Sequence, residues 1–365
     1  MKKKLIYVLH DFKSGGVEVA LLSAFKDLEN SFVFRLIVLG FTDSEFIESL
    51  NKYQKNKIIS FPFKTIFFPF YMLKAIKYIF NFKPDILISS LWRSNLIGSI
   101  SKKLNKKIIF VPFIHSTYFF HYFDKLFSGI ALKLSDNVFV DSYASKRIIE
   151  SRYTNLYCEV ISFVINKNKI ELPNVKIKDR VKFLFIGRIN WVKKIPLAIK
   201  FVKDLQSHGY DVQFDIYGPD DGDLKNVLNE IEKQNARKII NLKGHVSLKE
   251  KKDLFKNYNF YIQFSQYEGM AMSIVEAMQN GLVCIVNPVG EIPNYSYDML
   301  SAIHINTNMG TYTDKDLIKA INVINKPEIF GKISASGFDY FKAQPLYRES
   351  LVREINKLIN DKYMN

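Results

Sequence analysis

An α/β fold of two doubly wound parallel-sheet (Rossmann-like) domains facing a central cleft is what this 365-residue sequence predicts. Three observations carry that expectation. Short apolar runs alternate with helix-length segments of period near 3.6 along the chain. The alternation lapses once, in the polar stretch from Asn166 to Lys182 with its Pro173, and then restarts. The length is enough for two domains with full cores, and the hydrophobic fraction of 48% is that of a globular protein, so bulk disorder is excluded.

In the first half, strands are expected at Leu5 to Leu9, Phe34 to Leu39, Ile58 to Phe61, Ile86 to Ser89, Ile108 to Val111, Val138 to Val140 and Glu159 to Phe163. In the second half they are expected at Lys182 to Ile186, Gln213 to Tyr217, Ile239 to Leu242, Phe260 to Phe264, Leu282 to Val286 and Ala302 to Ile305. Leu346 to Lys362 reads as an amphipathic helix. The domains are then 1–168 and 169–340, with the last helix in 341–365.

The formal net charge is +16, from 52 Lys+Arg against 36 Asp+Glu. Such a balance favours anionic partners: nucleotides, anionic lipid surfaces or nucleic acid. A composition rich in Lys, Asn, Ile, Phe and Tyr together also accounts for much of the excess without any function. Two cysteines, Cys158 and Cys284, both in apolar runs, point to a reducing, cytoplasmic compartment and no disulfide framework. The apolar run of MKKKLIYVLHDF meets His10 and Asp11 too early for a signal peptide and reads as a first strand. The most apolar stretch, Thr65 to Leu73, is followed by Lys74 and Lys77, so no spanning helix is expected. The aromatic, lysine-dotted segment Phe61 to Pro84 reads either as a buried helix or as a surface resting on an anionic membrane, which would make the protein peripheral on the inner face of the plasma membrane.

The chemistry is concentrated between Tyr261 and Glu291. That stretch reads as strand, loop, helix, strand, and in open parallel sheets ligands bind beyond the carboxyl ends of the strands. The loop holding Glu268 and Gly269 should sit at such an end, and the helix start that follows, Met270 to Met272, offers free N–H groups to phosphate. Glu268 and Glu276 stand eight positions apart. Carboxylates beside a phosphate site are acceptors for hydroxyl groups, and a ligand joining phosphates to hydroxyls at both ends is a nucleotide sugar.

The run EGMAMSIVE followed by AMQNGLVCIVNPVGEI, with Gly269, Glu276-Ala277-Met278, Gly281 and Gly290, resembles the E-x7-E signature of retaining glycosyltransferases of GT-B architecture, glycosyltransferase family 4. GRINWVK, from Gly187, is similar to that family's G-R-x4-K motif, and Lys194 departs from it where a glycine is frequent. The resemblance implies that Arg188 and Lys193 hold the donor diphosphate, that Glu268 orients the donor sugar and that Glu276 takes the ribose. It also implies that the backbone near His245 and Val246 holds the base, and that the last helix crosses back to the first domain.

In the first half the resemblance is weaker. Ser14-Gly15-Gly16, between the first strand and its helix, is either a tight turn or, as the resemblance implies, a loop facing the donor phosphates; paired glycines admit close approach and positive φ. A lone histidine is more often structural than catalytic, yet His115 follows an apolar run at a strand end, where the family commonly has a histidine near the donor sugar. Asp141-Ser142 resembles a strand-end V-x-S pattern that supports the site. His10, Asp11, Trp92, Arg93 and His121 are candidates to contact acceptor. Asp221-Gly222-Asp223 spells an acid-x-acid triplet, but it lies in a polar turn, and enzymes of this type work without a bound metal, so no metal and no cofactor are expected.

The reaction implied is transfer of a sugar from a nucleoside-diphosphate sugar to a hydroxyl of a glycan or lipid-linked glycan, with retention, in surface polysaccharide assembly. A nucleotide-sugar 2-epimerase and a non-catalytic nucleotide-sugar binder share the architecture and stay open as alternatives. A nucleic-acid binder would rest on charge alone, since no basic stripe interleaved with exposed aromatics of a recognisable module type is present, and no nucleic-acid partner is expected.

Overall fold

The computed structural model describes all residues except 1, 13–14, 44–46, 49, 62–66, 116–117, 119–120, 154, 168–170, 173–176, 178, 308 and 365. Ser14 of the glycine loop, Pro173 of the linker stretch and residues 62–66 of the aromatic segment therefore lie outside the described residues. The chain divides into two compact units, Met1–Ile165 with Pro345–Asn365, and Asn166–Gln344.

The N-terminal unit is built on strands β1 (Lys4–Leu9), β2 (Val33–Val38), β3 (Ile58–Ser60), β4 (Ile86–Ser90), β5 (Ile109–Ile114), β6 (Val138–Val140) and β7 (Cys158–Val160). They form a parallel sheet in the order β3-β2-β1-β4-β5-β6-β7. The connecting helices are α1 (Gly16–Ser31), α2 (Lys52–Lys55), α3 (Phe68–Phe82), α4 (Trp92–Leu104), α5 (Tyr122–Leu134) and α6 (Tyr143–Arg152). Strands such as LIYVL are fully buried along their whole length, as strands covered on both faces must be. Ile6, Val8, Ile37, Leu87 and Phe110 meet Ala75 and Ile79 of α3, Ile97 of α4 and Ala131 of α5 in one cluster.

The second unit carries β8 (Val181–Ile186), β9 (Val212–Tyr217), β10 (Ile240–Gly244), β11 (Phe260–Gln263), β12 (Val283–Val286) and β13 (Ile303–His304). Its sheet is parallel in the order β10-β9-β8-β11-β12-β13. Helices α7 (Ile195–Ser207), α8 (Leu224–Lys233), α9 (Leu248–Leu254), α10 (Met272–Gln279), α11 (Ile292–Tyr295), α12 (Asp314–Asn325) and α13 (Pro327–Tyr340) connect the strands. The final helix, α14 (Tyr347–Met364), belongs to the N-terminal unit, where it packs on α1 and Tyr347 N–H donates to Val164 O at 2.8 Å.

Each expected strand is present, with its ends displaced by at most three residues. The strand order reverses direction beside β1 and β4 in one sheet and beside β8 and β11 in the other, and such switch points open a crevice at the carboxyl ends of the strands. Ser90 ends β4, and Gly15 and His115 follow the ends of β1 and β5, in the first unit. Gly187, Arg188 and Glu268 do so in the second.

Candidate functional site

The best-defined polar constellation lies beyond β8 and β11. The loop after β8 tightens into a single 3-10 turn, Trp191–Lys193, with Lys193 N–H donating to Asn190 O at 3.0 Å. The loop after β11 is tied to it by Gln266 N–H donating to Val192 O at 2.8 Å and by an edge-to-face contact of Trp191 with Tyr267 at 6.3 Å. These ties bring the Lys193 ammonium to 2.6 Å from Glu268 Oε1, with both side chains largely withdrawn from solvent.

Glu268 has a second neutral donor. The side chain of Gln263, buried at the end of β11, gives Nε2–H to Glu268 Oε1 at 2.8 Å. Its own Oε1 lies 2.8 Å from the Tyr261 hydroxyl and 3.2 Å from Ser273 Oγ. A buried amide fixed at both ends points one way only, so the carboxylate is held before any ligand arrives. Gly290 supplies the space beneath. It has φ of +61°, and a Cβ there would stand 2.1 Å from Glu268 O. Glu291 N–H then donates to Gly269 O at 3.2 Å.

Arg188 is not part of this pair. It is exposed, and its guanidinium meets Asp221 Oδ2 at 3.1 Å, where Asn190 Nδ2 also donates at 2.9 Å. The expected convergence of Arg188, Lys193 and Glu268 is thus seen for the last two only, because Asp221 of the acid-x-acid triplet holds the arginine. Within that triplet Asp223 is buried and accepts from Asn226 at 2.6 Å, and Asp220, just before the triplet, accepts at Oδ1 from the backbone of Gly222 and Leu224. Among the described residues no group of three or more His, Cys, Asp or Glu side chains is arranged to hold a metal ion.

Lys194 stands in the left-handed region, φ +47° and ψ +42°, which explains why a glycine suits this position. In this chain the lysine stays there with its ammonium on Thr307 O at 2.9 Å, and burial lowers its pKa.

Helix α10 begins after Ala271, also left-handed at φ +53°, and no side chain caps its first turn. The first N–H groups of the helix, from Met272 on, follow directly on Gly269, Met270 and Ala271; Met270 O accepts from the Tyr295 hydroxyl at 3.2 Å. Glu276, on the same helix, forms an ion pair with Lys251 of α9. Each of the two signature carboxylates therefore holds a lysine of its own. His245 and Val246 follow the end of β10, ahead of Ser247, whose hydroxyl caps α9 in a capping box with Glu250.

In the N-terminal unit His115 Nε2 lies 2.9 Å from Ser90 Oγ, and the same hydroxyl lies 2.6 Å from Tyr7 OH. Phe113 and Phe163 flank the imidazole with ring centroids at 4.2 and 5.6 Å. Burial among these rings pushes the His115 pKa down to about 3, so the ring is neutral at physiological pH. Its Nδ1 is buried and has no partner among the described residues. The residue after Ser90, Leu91, has φ +71° and ψ 160°, a conformation costly for a branched side chain. It turns the chain from the His115 partner straight into α4. There Trp92 has His10 and His121 edge-on at 5.9 and 5.5 Å and the Arg93 guanidinium 4.9 Å from its ring. The structure thus gathers four of the acceptor candidates in one cluster.

Gly15 is extended, at φ −126°, rather than left-handed, so its glycine serves another need. The buried Glu18 carboxylate folds back beneath it, 2.3 Å from where a Cβ would be. Gly16 opens α1. Asp141 accepts from Ser142 and Ser145 at 2.8 and 2.9 Å, and Ser142 caps α6, which makes the pattern a local helix start. Gln263, Tyr261, Ser90 and Tyr7 were not legible as site residues. The available signal was a polar atom at the end of an otherwise apolar strand.

Three kinds of likeness to known proteins fit this geometry. Residues 166–336 match the family model of glycosyl transferases group 1. The chain is 26% identical to Protein CapJ of Staphylococcus aureus over 290 residues, 73% of this chain and 70% of CapJ. It is 27% identical over 156 residues to the GtfA subunit of a UDP-N-acetylglucosamine–peptide N-acetylglucosaminyltransferase of Streptococcus parasanguinis, and that match spans 41% of this chain and 30% of the subunit. Among solved structures, HepE from Anabaena in complex with UDP-glucose superposes with a TM-score of 0.75 at 15% identity, covering 99% of both chains. TarM, crystallised from S. aureus also with UDP, gives 0.76 at 14% identity and 98% of both chains. Residues 166–336 thus match the glycosyl transferases group 1 model, in a chain whose whole length has the GT-B fold of HepE and TarM.

Proposed function

We propose that the protein transfers a sugar from a uridine diphosphate sugar to an acceptor hydroxyl, with retention at the anomeric carbon, in assembly of a surface polysaccharide. The observation that carries this reading is the Lys193–Glu268 pair beside the uncapped start of α10. A cation, a helix start and a pre-oriented carboxylate suit diphosphate and sugar hydroxyl in one ligand. Uracil as the base is supported by the UDP bound to HepE and TarM and by the UDP-sugar in the name of the GtfA subunit.

The barrier to transfer lies in charge growing on the departing diphosphate. Lys193 and the first N–H groups of α10 are placed to stabilise it, with Arg188 joining once it leaves Asp221, and no metal is required for that step. Each such donor contributes on the order of 3 kcal/mol. Glu268, released from Lys193, accepts hydroxyls of the sugar, and Glu276 the ribose hydroxyls. His115, neutral and with Nδ1 lacking a partner among the described residues, offers a hydrogen bond rather than a charge. The surface-glycan context is supported by the likeness to CapJ and TarM.

The test is product analysis by NMR with UDP-glucose and UDP-N-acetylglucosamine, each with and without a glycan acceptor. An α-linked product from an α-linked donor is expected. Epimerised donor formed without acceptor would replace transfer by isomerisation, and donor binding without turnover would reduce the protein to a binder.

A further inference from the structure

Helices α3, α4 and α5 pack side by side over one face of the N-terminal sheet, α4 in the middle and nearly covered. Right-handed crossovers put α1, with α14 against it, on the other face. The two layers differ sharply in charge. On the first, α3 carries Lys74 and Lys77, α4 carries Arg93, Lys102 and Lys103, and α5 carries Lys125 and Lys133, against one acid, Asp124. On the second, α1 and α14 hold six acids and five cations. Of these five helices, the excess positive charge is thus concentrated on one layer, where Lys102 meets Asp136 at 2.7 Å.

The same layer shows apolar groups outward. Helix α3 buries Ala75 and Ile79, yet its opposite face presents Phe70, Leu73 and Phe80 at 54, 62 and 60% exposure, with Phe67 just before the helix at 56%. Lys74 and Lys77 share that outer face, and the Lys74 ammonium lies 4.4 Å from the Phe70 ring. On α5 the first turn adds Tyr122 and Phe123, at 72 and 55%. Long apolar side chains bare to water, with ammonium groups on flexible stems between them, match an interfacial helix whose rings enter the acyl boundary while its lysines reach headgroups.

We propose that the outer face of α3, with the first turn of α5, docks on an anionic lipid bilayer. A second copy of the chain is the other occupant for an apolar face, but pairing this layer with itself would oppose like charges across the interface. Lipid headgroups of negative charge supply the complement. The inference stands independently of the sugar-transfer reading, and its test involves no donor or acceptor.

The full-length protein is sedimented with vesicles of phosphatidylcholine alone and with vesicles of phosphatidylcholine and phosphatidylglycerol in equal amounts. Binding to the second and not the first is expected, weakening as salt is raised. Lys74→Gln with Lys77→Gln should weaken it about 25-fold, each lysine contributing about fivefold. Phe70→Ser with Leu73→Ser should weaken it by about tenfold or more. All four side chains point away from the core, so circular dichroism and melting temperature should not change. Equal partition to both vesicle types, or undiminished binding by both variants, overturns the proposal. So does a dimer without vesicles that both variants abolish, which would assign the face to a second copy.

Discussion

Lys193 and Glu268, 75 residues apart in sequence, meet at 2.6 Å with Gln263 holding the same carboxylate oxygen at 2.8 Å. Two charges largely withdrawn from water are costly to bring together unless each is satisfied, and here the pair satisfies itself. A ligand bearing a diphosphate and hydroxyl groups can replace each partner for the other. The pair is therefore held in compensated form, and in the proposed donor site its charges would become available as the donor enters.

Lys193→Ala is expected to lower kcat/KM by about a hundredfold or more, the usual effect of removing one donor from a charge-stabilising site, and Glu268→Gln, which removes the charged acceptor for the sugar hydroxyls, is expected to lower it as well. Retained folding is checked by circular dichroism. Full activity in both variants would remove the pair from the chemistry.

Gly290→Ala tests the packing beneath Glu268. At φ +61°, with Glu268 O 2.1 Å from the new methyl, the backbone carrying the carboxylate must shift. A stability loss of about 2 kcal/mol and a fall in activity are expected together, read by denaturant melts and a transfer assay.

Lys194→Gly should behave unlike an ordinary lysine-to-glycine change. Relief of a left-handed backbone, about 1 kcal/mol, is set against loss of one hydrogen bond to Thr307 O, also about 1 kcal/mol. Near-neutral stability in urea melts is the expected outcome.

Burial holds the His115 pKa at about 3 against an ordinary value of 6.5. The unfolded chain binds a proton there below pH 6.5 and the folded one does not, so folding stability falls as pH drops through that window, by at most about 1.4 kcal/mol per pH unit. His115→Gln should flatten the acid side of the stability curve between pH 6.5 and about 3. Ser90→Ala keeps the ring but frees its orientation; it is expected to lower kcat more than it raises KM.

The fold was legible because it rests on patterns that composition preserves. Runs such as LIYVL and FLFI are buried on both faces, and their alternation with amphipathic helices admits little besides parallel sheets. The Glu268 loop and Lys193 were legible because glycine, glutamate and lysine stand at strand ends with fixed spacing. The G-R-x4-K spacing that assigns Arg188 to the diphosphate says nothing of Asp221, 33 residues on, which competes for it. Gln263, Ser90 and Tyr7 lay inside apolar runs, where a polar atom is visible but its partner is not. Paired glycines suggest backbone freedom, whereas the structure uses the missing side chain of Gly15 to admit Glu18.

Equilibrium titration with UDP, by calorimetry on the wild type and on Lys193→Ala, reaches the central claim most directly. The expected result is metal-independent UDP binding by the wild type, weakened between about tenfold and a hundredfold in the variant, as loss of one charge-assisted hydrogen bond requires. Equal affinity in the two proteins, or no binding by the wild type, would contradict a donor site built on Lys193 and Glu268.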